Sequence, residues 1–189
     1  MNAFLTSTLL VALAEIGDKT QLLSFVLAAR LRKPLPIIAG IFAATAVNHL
    51  LAGSVGVMIA QALPPHVLTW IVGASFIGFG LWALKPDTLD NGPAMHRAGA
   101  FVTSFIAFFI AEMGDKTQFA TVALAARFDA LAAVVLGTTL GMMIANVPAV
   151  WIGDRLARRI PMKAVRLSAA AVFIILGLLT IWHMEAAHG

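Results

Sequence analysis

Two stretches carry the residues that can do chemistry. "EIGDKTQ" occupies Glu15 to Gln21 and "EMGDKTQ" occupies Glu112 to Gln118, each inside an otherwise apolar run. Each copy offers two carboxylates, Glu15 and Asp18 or Glu112 and Asp115, with a lysine directly after the second. Helical spacing puts residues i and i+3 on one face, so an uninterrupted helix would present each Glu–Asp pair together. Lys19 and Lys116 then fall at i+4 from Glu15 and Glu112, where they can partly neutralise the cluster. Gly17 and Gly114 stand between the acids and tolerate unusual dihedrals. The helix can loosen there and free a carbonyl oxygen. Thr20, Thr117, Gln21 and Gln118 add neutral oxygens one turn on.

If the two copies converge, four carboxylates and two ammonium groups leave a charge of −2, which matches one divalent cation. The expected metal donors are Glu15, Asp18, Glu112, Asp115, Gln21 and Gln118, all oxygen. Such a set suits Ca²⁺, Mg²⁺ or Mn²⁺ over Cu⁺ or thiolate-bound Zn²⁺. Carboxylates crowded together resist joint ionisation, so protons compete with the metal for Glu15, Asp18, Glu112 and Asp115, and Lys19 and Lys116 balance charge. Asn48 and His49, with Asn146 aligned to His49, form a second tier of polar candidates that line a pathway or bond a neighbouring helix.

Composition says where these groups sit. The chain has 189 residues, of which 60% are hydrophobic and 12% charged. Soluble domains are nearer a quarter charged, and a membrane span needs roughly 20 apolar residues. Spans are expected at about Phe4–Ala29, Pro36–Leu63, Val67–Leu84, Gly99–Ala126, Ala130–Gly153 and Ala164–His183. Ionisable groups within such spans are costly and mark ion paths. There are no cysteines, which excludes disulfides and thiolate chemistry. The N-terminus lacks the basic region and cleavage site of a signal peptide. The net charge of +4 sits in short loops, so it reads as topology rather than nucleic-acid binding. Ten Lys and Arg fall in the first, third and fifth loops and only Arg127 on the opposite side, which predicts periplasmic termini.

The two signatures are offset by 97 residues, and Glu15–Arg30 matches Glu112–Arg127 at ten of sixteen positions. Gly40 meets Gly137 and Phe76 meets Phe173 in the same register. The sequence therefore predicts an all-α polytopic membrane protein of six transmembrane helices, built as two inverted three-helix repeats. Residues 1–84 form the first repeat, 85–98 the connecting loop and 99–189 the second, together one transmembrane domain. An odd number of spans per copy inverts the second copy, a plan used by secondary transporters.

The doubled Glu-x-Gly-Asp-Lys-Thr, once per half, resembles the signature of uncharacterised protein family 0016, the family of the Golgi Ca²⁺/Mn²⁺:H⁺ antiporters and bacterial manganese exporters. The resemblance covers essentially the whole chain, and both copies fit the pattern without departure. It implies export of Mn²⁺, with Ca²⁺ as a further cargo, in exchange for protons carried by Glu15, Asp18, Glu112 and Asp115. It also implies a multi-pass protein of the bacterial inner membrane. The expected partners are a divalent ion, protons and the lipid bilayer; no cofactor and no enzymatic reaction are expected. A cation channel without proton coupling shares the carboxylates, and an exporter of organic cations or amino acids shares the three-plus-three plan; both stay open at this level.

Overall fold

The computed structural model describes residues 2–85, 99–152 and 162–188. The described residues form helices and their connections, with no strand. In chain order the helices are α1 (Ala3–Glu15), α2 (Lys19–Leu31), α3 (Pro34–Ala62), α4 (Pro65–Ala83), α5 (Ala100–Glu112), α6 (Lys116–Phe128), α7 (Leu131–Ile152) and α8 (Met162–His188). Most of the connecting loop (86–98) and most of the basic run at 154–163 lie outside the described residues.

Of the spans read from sequence, the second, third and fifth run as single helices long and apolar enough to cross a membrane: Pro34–Ala62, Pro65–Ala83 and Leu131–Trp151. The first and fourth do not run through. Each is divided at its signature, into α1 and α2 and into α5 and α6, and each of the four pieces is 13 residues long. At 1.5 Å per residue a piece spans about 20 Å, short of the hydrocarbon thickness. Proline starts α3 and α4, where its missing N–H costs nothing. The helices α2 and α6 end on left-handed residues, Arg32 at φ 53° and Asp129 at φ 45°, 97 positions apart. In each, the capping N–H donates to a carbonyl of the last turn, of Ala28 and of Ala125.

Packing follows the same offset. A methyl placed on Gly40 of α3 would stand 2.6 Å from the Phe101 carbonyl oxygen of α5, and one on Gly137 of α7 would stand 2.5 Å from the Phe4 carbonyl oxygen of α1. Glycine is required at both because backbone meets backbone. Where lipid tails are as apolar as leucine, close approach through small residues supplies the attraction between helices. The outermost pair, α4 and α8, meets through Gly73 and Gly177, with Phe76 tilted against Phe173 at 6.3 Å between ring centres. The arrangement buries both ends of the breaks, Glu15 with Asp18 and Glu112 with Asp115, and leaves Leu9, Met58, Ile110 and Trp151 exposed.

Candidate cation site

Each signature forms a break between two helices. The residue after the glutamate, Ile16 or Met113, leaves helical geometry, and Gly17 (φ 86°) and Gly114 (φ 76°) take left-handed conformations. Only glycine enters that region without strain. A short turn closes the gap, with the Asp18 N–H donating to the Glu15 carbonyl at 3.1 Å and the Asp115 N–H to the Glu112 carbonyl at 3.0 Å. A side chain then braces each turn. The Gly17 N–H donates to Gln21 Oε1 at 2.9 Å, and the Gly114 N–H to Gln118 Oε1 at 2.7 Å. Gln21 also donates to the Ala145 carbonyl at 3.1 Å, tying the break to α7. The glutamine oxygens expected as metal donors thus already accept from the backbone.

Two points of geometry differ from the helical spacing. Glu15 and Asp18 do not share the face of one helix: Glu15 ends α1, whereas Asp18 stands at the N-cap of α2, and Glu112 and Asp115 repeat this around α5 and α6. The lysines do neutralise carboxylates of the cluster, but not the glutamates four residues before them. Lys19 Nζ pairs with Asp115 Oδ1 at 3.3 Å, and Lys116 Nζ with Asp18 Oδ1 at 3.3 Å. The physical reason is the break itself: once the helix is interrupted, i+4 geometry is lost. Each lysine then opens a helix, where the positive end of the macrodipole repels it, and it turns to a carboxylate of the opposite copy.

The site is dry. Glu15 and Glu112 are fully buried, Asp18 and Asp115 are 3% and 2% exposed, and Lys116 is 7% exposed. Glu15 lies within electrostatic reach of Glu112, Asp18 and Asp115, beside the Asn146 amide. Glu112 Oε2 accepts from Thr117 Oγ1 at 3.1 Å and lies 3.6 Å from His49 Nε2. Thr20 is buried with its hydroxyl unpartnered. Asn48 donates to the Phe109 carbonyl at 3.1 Å, binding α3 to α5. The cavity beside the Asp18–Lys116 pair, lined by Gly17, Leu13 and Ala83 among others, measures about 10 Å³, close to the least space one water needs. Among the described residues no three Asp, Glu or His side chains stand at the spacing of a ready metal cage.

Sequence reasoning missed Ser24. Its hydroxyl donates to Asn146 Oδ1 at 2.8 Å, while the Asn146 amide donates to the Met142 carbonyl at 3.0 Å. Asn146 is thereby held between α2 and α7. The available signal was a hydroxyl nine residues after each glutamate, Ser24 and Thr121, but Thr121 turns to its own helix and bonds the Thr117 carbonyl.

The chain matches the family model described as divalent cation/proton antiporter GDT1 twice, over residues 3–91 and 100–188. It belongs to the GDT1 family of divalent cation/proton antiporters. A Vibrio cholerae protein named "putative manganese exporter" is 51% identical over 181 residues, covering 95% of this chain and 90% of that protein. A GDT1-like protein of Synechocystis is 31% identical over 204 residues, covering 96% of this chain and 98% of that protein. A GDT1-like protein of Arabidopsis thaliana is 29% identical over 221 residues, or 94% of each chain. No solved structure matches. The resemblance read from the doubled signature is therefore shown, and GDT1 membership makes divalent cations and protons the substrates of the fold.

Proposed function

We propose that this GDT1 member exports Mn²⁺ from the cytoplasm in exchange for protons, and that the cargo is held by Glu15, Asp18, Glu112 and Asp115. The observation that carries the reading is the crossed pairing of Lys19 with Asp115 and Lys116 with Asp18. It makes one charge cluster out of two half-sites. A divalent ion entering this cluster displaces two ammonium groups with one compact charge, so the lysines act as internal competitors of the cargo. Protons compete from the carboxylate side. A cluster that must always hold one of these cations, in a pocket with space for about one water, suits exchange better than free conduction. The manganese reading draws on the name carried by the Vibrio relative.

The two halves serve as inverted three-helix repeats, in which α1 with α2 and α5 with α6 act as interrupted spans and α3, α4, α7 and α8 complete six crossings. Broken helices at the midplane of a repeat pair are a transporter device for presenting helix ends to an ion. The loop bias in Lys and Arg orients the termini to the periplasm of a bacterial inner membrane. With the site open inward the carboxylates take the ion; the halves rock; periplasmic protons reload the acids and release it.

The test is Mn²⁺-driven proton movement in proteoliposomes held at zero membrane potential. Glu15→Gln and Asp115→Asn should each abolish it. Full activity in either variant overturns the assigned site, and Mn²⁺ flux that moves no protons favours a channel.

A further inference from the structure

The two half-sites are not equivalent. At the same register of the second span of each half, α7 offers Asn146 beside Glu15, whereas α3 offers His49 beside Glu112. Asn146 is committed, with Ser24 and the Met142 carbonyl as its partners. His49 is not. Its side chain is fully buried, and neither Nδ1 nor Nε2 has a hydrogen-bond partner. Burying an imidazole with both nitrogens unpaired is costly, and Glu112 Oε1 beside it is unpaired as well.

The separation of His49 Nε2 from Glu112 Oε2 is 3.6 Å, longer than a hydrogen bond. Two donors on one ion with bonds of about 2.1 Å lie about 3.0 Å apart at a right angle and at most about 4.2 Å apart. The observed spacing falls within that range. We propose, on the basis of the manganese-export reading above, that His49 is a nitrogen ligand to the transported cation in the Glu112 half of the site, and that it sets selectivity for Mn²⁺ over Ca²⁺ and Mg²⁺. Mn²⁺ shares a preference for oxygen donors with Ca²⁺ and Mg²⁺, but as a first-row transition ion it also accepts an imidazole nitrogen, which those two hard ions take poorly. An oxygen-only cluster separates the three ions by cavity size and ligand number, and one buried nitrogen donor adds a preference for the transition ion. The Asn146 half then supplies charge without this preference.

The experiment is pulsed electron paramagnetic resonance on Mn²⁺ bound to the purified protein, with Mn²⁺- and Ca²⁺-driven proton flux measured in parallel. The wild type should show a ¹⁴N coupling from a metal-bound imidazole. His49→Asn, which makes the two halves alike, should lose that coupling. Its KM for Mn²⁺ should rise roughly tenfold or more, while its KM for Ca²⁺ stays within about twofold. Bound Mn²⁺ without nitrogen coupling in the wild type overturns the inference and leaves the export reading standing; this arm needs no variant and so no assumption about folding. Coupling that persists in His49→Asn, or an unchanged Mn²⁺/Ca²⁺ ratio, also overturns it. Failure of the wild type to bind Mn²⁺ overturns both.

Discussion

At Asp18 and Asp115 a carboxylate stands where a helix begins, a favourable position for negative charge. The lysine that follows each is badly placed by the same rule, and a partner across the repeat compensates it. Exposure decides how much each pair matters. Lys116 is 8% exposed at its side chain and Lys19 is 27%. Removing one partner of a buried pair costs about 3–5 kcal/mol; Asp115 is as buried as Asp18, but the partly exposed Lys19 lets solvent screen its pair and lowers that cost. Lys116→Met should therefore lower thermal stability in detergent clearly more than Lys19→Met. Adding Asp18→Asn to Lys116→Met should recover part of the loss, because the uncompensated carboxylate is gone. A double variant no more stable than the single one would show that the pair carries no coupling.

The element that matters most is the broken helix. Its geometry rests on one left-handed glycine and one glutamine per copy. A methyl on Gly114 would meet nothing within 4 Å, so the cost of Gly114→Ala is conformational alone. It should be about 1–2 kcal/mol, read as a shift in unfolding temperature, and Gly114→Asn should cost less because asparagine tolerates the left-handed region. Equal costs for the two would point away from backbone strain. Gln21→Leu removes the acceptor for the Gly17 N–H and should destabilise by about 1–3 kcal/mol, with loss of Mn²⁺-driven proton flux as the turn opens.

Over the whole molecule the prediction concerns orientation. The chain has no cysteine, so single cysteines report cleanly. Arg32 and Asp129 are exposed, are related by the repeat and cap equivalent helices. In oriented membrane vesicles Arg32→Cys should react with an impermeant thiol reagent only from the cytoplasmic side, and Asp129→Cys only from the other. Labelling of both from one side would rule out inverted repeats.

Much of this was legible in the residues. The doubled signature gave the repeat offset, the charge sum and the apolar setting, because a carboxylate within an apolar run is costly wherever the chain takes it. The sequence placed the second and third spans from Pro36 and Val67, and the helices begin two residues earlier, at Pro34 and Pro65, where proline suits the first turn. What could not be read was the partner of each charge. Local spacing pointed Lys19 to Glu15, and it is Asp115 across the interface that Lys19 meets. The division of α1 from α2 belongs in between: glycine permitted it, and the Gln21 contact with the Ala145 carbonyl of α7 helps to fix it. Sequence by itself determined which groups are present and that they lie among apolar residues, since composition and periodicity act along one chain segment. Tertiary structure alone decided which acid faces which base and that His49 meets Glu112 while Asn146 turns to Ser24, since these contacts join residues 63 to 122 positions apart only after the helices pack.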